Sequence, residues 1–256
     1  MATKVFLTGA SAGIGLAIAR LLTAHGCEVW GTSRDRKRLP ELPGFHPVVM
    51  DLSQPSLPAD VPFEVLINNA GAAVFGPVDI LPVDLVREQF QLLVEGPLEL
   101  IRLALPGMRA RGVGTIINIT SLAGQLPVPF MAPYNAGKAA LSSVTQCLRL
   151  ELADTPIRVV EVRPGDINTA FHDATKRVDV GDLRRAASAW ETQIRDMAAA
   201  PPPDSVARAV LRIVNQPNPP PVAVVGGLFQ AKVAPLAARF LPVRLLEWGL
   251  RRYYRI

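Results

Sequence analysis

The sequence predicts a doubly wound α/β fold built on a parallel sheet of about seven strands. Short β-branched runs alternate with longer helical patterns along most of the 256 residues. Several strand candidates are apolar at every position, as strands are when helices cover both faces of their sheet. Strand–helix alternation with right-handed crossovers produces this architecture. Because no repeat or early linker divides the chain, we expect a single domain over residues 1–256.

The strand candidates are short and rich in β-branched residues. In chain order they are Lys4–Thr8, Glu28–Ser33, Pro47–Asp51, Val65–Asn68, Thr115–Ile119, Arg158–Val162 and Val222–Val225. The helix candidates lie between them at Gly13–His25, Val83–Arg111, Pro133–Leu152 and Asp204–Asn215.

Composition limits the class of protein. Hydrophobic residues make up 49% of the chain, enough to form a core without disulfides or metals. The two cysteines, Cys27 and Cys147, show no pairing motif, so we expect both to be buried thiols in a reducing compartment. No secretory signal and no charge-free run of membrane-spanning length is visible, which predicts a cytoplasmic protein.

The net charge of +5 is concentrated at the C-terminus. Residues 231–256 contain one acid, Glu247, and six basic residues: Lys232, Arg239, Arg244, Arg251, Arg252 and Arg255. The rest of the chain holds 21 basic and 21 acidic residues, so its charge balance predicts no nucleic-acid partner.

A glycine-rich turn follows the first strand and opens the first helix. It reads Thr8-Gly9-Ala10-Ser11-Ala12-Gly13-Ile14-Gly15. Glycines allow a tight turn and a close approach of backbone N–H groups to a pyrophosphate, which the helix N-terminus also attracts. The position between a strand and a helix makes the motif informative and predicts a dinucleotide site.

The end of the second strand decides between the two nicotinamide dinucleotides. A carboxylate there would bind the ribose 2′-OH and repel a 2′-phosphate. This chain has Ser33 and Arg34 instead, and a guanidinium fork suits a phosphate. The sequence therefore predicts NADP(H), whereas Lys37 and Arg38 read as a solvated charged turn.

The glycine spacing resembles that of the short-chain dehydrogenase/reductase family, and the chain resembles its hydroxysteroid/retinol dehydrogenase-like members up to about residue 226. Asn68-Asn69-Ala70-Gly71 is similar to a family signature that lets the backbone pass against the adenosine, and Asp51-Leu52 stands where family members bind the adenine amino group. The resemblance implies a Rossmann-type fold and a homodimer or homotetramer.

A Tyr and a Lys four residues apart, Tyr134 and Lys138, share one face of a predicted helix, and Ser121 precedes the Tyr by thirteen residues. By resemblance, Ser121 binds the substrate oxygen, Tyr134 transfers the proton, and Lys138 lowers the tyrosine pKa and holds the nicotinamide ribose. Thr120 competes for the serine role, but its spacing to Tyr134 is wrong by one.

Pro164, Ile167 and Thr169 follow a strand and are similar to the family's Pro-Gly segment, which contacts the nicotinamide carboxamide. His172, nearby, is interpreted as a solvated side chain. In full, the predicted cofactor contacts are Gly9, Ser11, Gly13, Ile14, Gly15, Ser33, Arg34, Asp51, Leu52, Asn69, Ala70, Gly71, Tyr134, Lys138, Pro164, Ile167 and Thr169.

One position departs from the family pattern. Family members usually carry an Asn a few residues before a Gly-Pro in the long helix, and here that position is Leu93. The Asn is thought to support a proton relay to the lysine, largely through its backbone carbonyl. Leu93 keeps the carbonyl and lacks the amide that helps to bend the helix.

Apolar segments at Val74-Phe75 and residues 126–131 are expected to border the nicotinamide end, which favours a lipophilic ketone, secondary alcohol or aldehyde as substrate. Residues 170–200, including Trp190, correspond to the family's substrate lid, although a plain amphipathic helix pair fits the same pattern.

The tail 231–256 places Leu245, Leu246, Leu250 and Tyr253 on one helical face and Arg244, Trp248, Arg251 and Arg255 on another. This pattern fits an interfacial helix on anionic lipid, but a tail packed on the core or on a second subunit is the favoured interpretation.

The sequence thus favours an NADP(H)-dependent oxidoreductase that moves a hydride between the nicotinamide and a lipophilic carbonyl or alcohol. The alternative, motivated by Leu93, is an NADP(H)-binding regulatory or scaffold protein with little turnover.

Overall fold

A seven-stranded parallel sheet forms the centre of the computed structural model, which describes residues 2–227, 229 and 233–256. Its strands are β1 (Lys4–Leu7), β2 (Glu28–Ser33), β3 (Phe45–Val49), β4 (Val65–Asn68), β6 (Gly114–Ile119), β7 (Ile157–Pro164) and β9 (Val222–Val225). The spatial order is β3-β2-β1-β4-β6-β7-β9, so the chain reverses direction across the sheet between β1 and β4. The predicted doubly wound α/β fold is confirmed.

A separate pair of two-residue strands, β5 (Val74–Phe75) and β8 (Lys176–Arg177), joins segments about a hundred residues apart in the chain. The helices are α1 (Gly13–Ala24), α2 (Val83–Phe90), α3 (Gly96–Arg111), α4 (Ala132–Glu151), α5 (Arg184–Ala198), α6 (Asp204–Asn215), α7 (Ala234–Phe240) and α8 (Val243–Tyr254). The tail predicted at 231–256 thus forms α7 and α8, while Ala231 and Lys232 lie outside the described residues.

The predicted long helix Val83–Arg111 is interrupted. A π-helical turn over Gln91–Glu95 separates α2 from α3. Each π turn admits one extra residue per hydrogen-bonded ring and so bends the helix axis. The sequence pattern did not predict this interruption, although Leu93 lies at its centre.

Both faces of the sheet are buried, as its continuously apolar strands predicted. On one side Val5 and Leu7 pack with Ile18 of α1 and Val210 of α6. On the other side Phe6 of β1 packs with residues of α3 and α4, including Leu100, Met108 and Leu148. The alternation of Val5, Phe6 and Leu7 between the two cores follows from the two-residue period of a strand.

The prediction that both cysteines are buried is wrong for Cys147. Cys27 is buried beneath α1, but Cys147 is exposed on α4. The inward positions of α4 near it are Leu141, Thr145 and Leu148, which follow the helical period. Cys147 falls between two of these positions and therefore faces away from the sheet.

No helix among the described residues combines the length and the apolar composition needed to cross a bilayer.

Candidate active site

The glycine turn between β1 and α1 is a close-packed loop at the carboxyl edge of the sheet. Gly9 and Gly13 have φ angles of +71° and +51°, which favour glycine. A Cβ on Gly15 would lie 2.0 Å from the carbonyl oxygen of Gly9, and one on Gly9 would lie 2.8 Å from Cα of Ala70. These positions therefore need glycine for the chain to follow this path.

The turn is bonded to the loop after β4. Thr8 Oγ1 accepts hydrogen bonds from the backbone N–H groups of Asn69 and Ala70, at 2.9 and 3.0 Å. The Asn69 side chain donates to the carbonyl of Thr8 at 2.9 Å. The two predicted backbone motifs thus form one rigid unit at the point where the sheet changes direction, which is where open α/β sheets bind ligands.

The start of α1 fits an anionic dinucleotide. Its first turn carries no acidic residue, and no side chain in the described part of the chain caps it. The N–H groups of its first residues, Gly13 and Ile14, and the positive end of its dipole are therefore available to an anion beside Ser11. Thr169 comes from the loop after β7, and a Cβ on Gly13 would lie 3.3 Å from its Cγ2. The structure thus brings the predicted pyrophosphate and carboxamide contacts to the same cleft.

β2 ends at Ser33, and Arg34 follows it. These two residues lie next to Asp51 and Leu52, which follow the neighbouring strand β3. Arg34 is exposed and Leu52 is buried. Hydrogen bonds from the backbone and side chain of Ser53 lower the pKa of Asp51, and the positive charge of Arg34 lowers it further. The predicted adenosine-end residues therefore meet at one corner, where Arg34 is a solvent-accessible cation.

Ser121, Tyr134 and Lys138 converge as predicted. Ser121 follows β6 and is hydrogen-bonded to the Tyr134 hydroxyl, while its Oγ lies 3.5 Å from the carbonyl of Pro164. Lys138 is buried, lies one turn after Tyr134 on α4, and donates to the carbonyl of Ile119 at 2.7 Å. Its Nζ lies 5.9 Å from the centre of the Tyr134 ring.

Burial dominates the pKa of Tyr134 in this structure, and the lowering expected from Lys138 stays a prediction. Desolvation raises the pKa of Tyr134 to about 12, although the hydrogen bond with Ser121 opposes this shift. Desolvation likewise lowers the pKa of Lys138 to about 8. Each buried group resists its charged form because the interior solvates charge poorly. Tyr134 is therefore a protonated phenol at neutral pH in this structure.

Thr120 does not compete with Ser121. Its hydroxyl donates to the buried carboxylate of Glu161 at 2.8 Å, whereas Ser121 is the residue whose side chain bonds the Tyr134 hydroxyl. Strand alternation gives this result, since adjacent residues at the end of β6 point to opposite faces.

Two buried polar groups that the sequence analysis missed lie behind these residues. Asn118 on β6 accepts from Asn68 on β4 at 2.9 Å and donates to Thr145 on α4 at 2.8 Å. Glu161 on β7 pairs with Arg163 through two bonds of 2.7 and 2.8 Å. A polar residue inside an otherwise apolar strand could have indicated these groups, because such residues need hydrogen-bond partners when they are buried.

Leu93 is buried and packs between the elements that carry the site. A Cβ on Gly137 of α4 would lie 2.9 Å from its Cδ1, and one on Gly71 would lie 3.5 Å from its Cδ2 and 3.7 Å from Nζ of Lys138. Leu93 therefore fills the space beside Lys138 with hydrocarbon, and the helix still bends at this π turn in the absence of an Asn side chain.

We expect Leu93→Asn to destabilise the protein by roughly 1–3 kcal/mol, because an amide placed in this apolar contact lacks a partner. Turnover should change less than about threefold, since the backbone carbonyl is present with either side chain. Urea unfolding and steady-state kinetics measure the two effects, with the exposed Leu98→Asn on α3 as the matched control. A larger rise in turnover would show that the missing amide limits proton delivery.

An apolar cluster lies against Tyr134. The Phe171 ring is 5.5 Å from the Tyr134 ring, and Phe75 contacts Trp190 and Phe130 at ring distances of 4.9 and 5.8 Å. These rings come from β5, from the segment before α4, and from the segment predicted as a lid. The expectation that Val74-Phe75 and residues 126–131 border this end of the site agrees with their positions.

The interpretation of His172 as a solvated side chain is wrong. Both ring nitrogens are buried and have no hydrogen-bond partner among the described residues. The ring packs edge-on against Trp190 at 4.9 Å. Helix α5 places Trp190 over His172, an arrangement that depends on tertiary packing and has no local sequence signal.

The family described as short chain dehydrogenase matches residues 3–179 of this chain. The 3-ketodihydrosphingosine reductase of Bacteroides thetaiotaomicron is 30% identical, and the alignment covers 98% of each chain. A probable NADP-dependent dehydrogenase of Haemophilus influenzae is 32% identical over 84% of this chain and 89% of that protein. The solved short-chain dehydrogenase/reductase of Burkholderia phymatum in complex with NAD is 21% identical, with a TM-score of 0.80 and coverage of 97% and 95%. The glycine turn, the Asn-Asn-Ala-Gly loop and the Ser, Tyr and Lys cluster occupy one cleft of a chain that belongs to the short-chain dehydrogenase family.

Proposed function

We propose that this oxidoreductase uses NADP(H) to move a hydride between the nicotinamide and a ketone, secondary alcohol or aldehyde carbon of a lipophilic substrate. The observation that carries the proposal is the convergence of Ser121, Tyr134 and Lys138 between the glycine turn and an apolar cluster. Carbonyl reduction requires a hydride and a proton. In this cleft Tyr134 would donate the proton, and the anion-binding glycine turn would hold the dinucleotide that carries the hydride.

The bound dinucleotide would supply the hydride to the carbonyl carbon. In the direction of reduction, the Tyr134 hydroxyl donates its proton to the carbonyl oxygen, and Ser121 orients that oxygen by a hydrogen bond. The proton transfer leaves Tyr134 as a phenolate, which the positive charge of Lys138 stabilises until solvent returns the proton. A Tyr134 pKa of about 12 favours the protonated donor at neutral pH.

The preference for NADP(H) over NAD(H) is proposed from Arg34. This exposed guanidinium directly follows β2, and neither Ser33 nor Arg34 is a carboxylate that could bind the 2′-OH there. The Haemophilus influenzae relative, described as NADP-dependent, supports the same choice. The cofactor contacts proposed around it are those given for the cleft above.

We expect NADPH to bind at least about tenfold more tightly than NADH, a difference of about 1.4 kcal/mol. Arg34→Ala should remove most of this preference by weakening NADPH alone, because only NADPH carries the 2′-phosphate. Fluorescence titration of both dinucleotides measures the effect. Arg38→Ala, four residues along the same exposed turn, is the matched control and should leave both affinities unchanged. Equal affinities for the two dinucleotides in the wild type would refute the assignment.

A lipophilic substrate is proposed because the rings of Phe75, Phe130, Phe171 and Trp190 lie beside Tyr134. An apolar lining with few polar groups orients an apolar ligand and does not solvate a charged one. A panel of ketones, aldehydes and alcohols of increasing chain length, assayed by NADPH oxidation or NADP⁺ reduction, tests this proposal. Equal kcat/KM for sugars and for long-chain ketones would contradict it.

The second candidate is an NADP(H)-binding regulatory or scaffold protein, and Leu93 beside Lys138 is the observation that favours it. The same panel discriminates the two. A protein that binds NADPH tightly but reduces nothing, both as wild type and as Leu93→Asn, would support the regulatory function.

A further inference from the structure

The C-terminal helices α7 and α8 present an unusual surface. Of the eighteen large hydrophobic residues that are exposed among the described residues, nine lie between positions 229 and 253. They are Phe229, Val233, Leu236, Phe240, Leu241, Val243, Leu245, Trp248 and Tyr253. Scattered exposed apolar residues are ordinary, but a concentration of this size in one segment marks an interaction surface. We call residues 233–256, which contain all of these except Phe229, the C-terminal surface.

Among the described residues, helix α8 packs on the protein through one of its faces. Leu246, Leu250 and Tyr254 are partly or fully buried on that face. The Tyr253 hydroxyl donates to Asp196 of α5 at 2.6 Å. The tail therefore packs on the rest of the chain, as one of the sequence interpretations expected, and this contact fixes which face of α8 turns outward. Leu245, expected on the apolar face, lies on the exposed side.

The outward face of α8 combines arginines with a tryptophan. Arg244, Trp248, Arg251 and Arg255 follow one another at helical spacing, and all four are exposed. Arg239 of α7 adds a further cation, and its guanidinium lies 5.6 Å from the Phe240 ring. Against the five arginines of residues 233–256 stands one acid, Glu247.

This mixture fits an anionic lipid surface. Aromatic rings occupy the boundary between headgroups and acyl chains, while arginines place their stems in the apolar layer and their charged ends at the phosphates. A second copy of the chain fits less well, because a twofold contact through this surface would bring two sets of arginines together. Nucleic acid would leave Leu236, Phe240 and Val243 exposed.

We propose that the C-terminal surface docks the protein on an anionic phospholipid bilayer, with Phe240 and Trp248 inserted at the headgroup level and the arginines on the phosphates. The contact between α8 and α5 ties this surface to the segment predicted as the substrate lid. If the proposed function holds, a lipophilic substrate would reach the site from the bilayer to which the lid side is docked.

The test is vesicle flotation of the full chain, without dinucleotide or substrate, on phosphatidylcholine alone and on phosphatidylcholine mixed with phosphatidylglycerol. The protein should float with the mixed vesicles, release at high salt, and stay unbound to phosphatidylcholine alone. The variant Arg244→Gln/Arg251→Gln/Arg255→Gln should lose at least about tenfold in partitioning. The matched control, Arg20→Gln/Arg109→Gln/Arg208→Gln, removes the same charge from exposed positions elsewhere and should bind as the wild type does.

The apolar contribution has its own pair of variants. Phe240→Ser/Trp248→Ser should weaken binding strongly, whereas Val113→Ser/Leu150→Ser, which changes exposed apolar residues on other surfaces, should not. Trp248→Phe should keep vesicle binding and lose the blue shift of tryptophan fluorescence that accompanies it. Equal binding by all variants, or a dimer in sedimentation velocity that Trp248→Ser converts to a monomer without vesicle binding, would overturn the proposal.

These outcomes are independent of catalysis. Tyr134→Phe should bind vesicles as the wild type does, and the triple arginine variant should keep its kcat and KM for a short, water-soluble ketone. Vesicle binding by a protein that reduces no carbonyl would refute the proposed function and leave the docking surface standing.

Discussion

Replacing Tyr134 with phenylalanine is expected to lower turnover in carbonyl reduction by about 10²- to 10⁴-fold, the usual contribution of a positioned acid/base group. The substitution removes one hydroxyl and keeps the ring that packs against Phe171. NADPH affinity should therefore survive, because the glycine turn and Arg34 lie at the other end of the cleft. Steady-state kinetics and a fluorescence titration of NADPH measure the two quantities separately.

Tyr254→Phe is the matched control for this substitution. Tyr254 is a buried tyrosine on α8 that does not belong to the cluster of Ser121, Tyr134 and Lys138, so loss of its hydroxyl should leave turnover unchanged. A Tyr134→Phe variant that keeps more than half of the wild-type activity on a good substrate would remove Tyr134 from the mechanism and with it the proposed proton transfer.

The raised pKa of Tyr134 can also be tested with the Tyr134→Phe variant. With a Tyr134 pKa of about 12, the phenolate should be absent from the dinucleotide-free protein at pH values where an exposed tyrosine, with a pKa of about 10, is half ionised. The difference in ultraviolet absorbance between wild type and Tyr134→Phe should therefore show no tyrosine ionisation near that pH. Ionisation of Tyr134 at neutral pH would mean that Lys138 outweighs desolvation, as the sequence analysis expected.

The parts of this molecule that sequence predicted correctly are those set by local pattern. Apolar runs such as Val65–Asn68 specify buried strands, and Gly9 and Gly15 specify a turn that side chains would obstruct. A strand followed by a turn and a helix places its loop at the carboxyl edge of the sheet whatever the rest of the chain does. The convergence of Ser121 with Tyr134 follows from the same rule together with the helical repeat.

What the sequence did not predict depends on contacts between distant segments. β5 and β8 are two residues each and exist only because they pair with one another. His172 is buried because α5 places Trp190 against it, and the π turn at Leu93 is packed against Gly137 of α4. A local pattern contains no information on these partners, so burial and pKa values in the cleft were the least predictable quantities.

Glu161 and Arg163 form a buried ion pair whose partners a local sequence pattern also does not specify. In the structure the Glu161 side chain is 0% exposed and that of Arg163 is 13% exposed, and they form a bidentate pair on the side of the sheet that α4 covers. Thr120 and Ser142 also bond the Glu161 carboxylate. The Glu161 carboxylate therefore holds Thr120, the residue that precedes Ser121.

Arg163→Met is expected to destabilise the protein by about 3–5 kcal/mol, because it leaves the Glu161 carboxylate buried without its counter-charge. Glu161→Gln/Arg163→Met should recover most of this loss, since a neutral amide costs less to bury and can still accept from Thr120. Midpoints of urea unfolding compare the three proteins. A single variant as stable as the wild type would show that the pair contributes nothing to the fold.

The stability of the wild type and that of Arg163→Met should depend on pH with opposite signs. In the wild type, burial acts to raise the pKa of Glu161, but the hydrogen bonds from Arg163, Ser142 and Thr120 and the charge of Arg163 outweigh it and leave the pKa below its usual value. The stability that this pair contributes is present above the unfolded pKa, about 4.3, and is lost as the pH falls through the lower folded value. In Arg163→Met burial acts without the counter-charge, so the folded pKa of Glu161 rises and stability is lost as the pH increases above the unfolded value.

The stability difference between the wild type and Arg163→Met should therefore be larger at pH 7.5 than at pH 5, and Glu161→Gln in the Arg163→Met background should abolish that dependence. If the difference is the same at both pH values, the loss comes from packing of the Arg163 stem, and the charge on Glu161 is not what the arginine compensates.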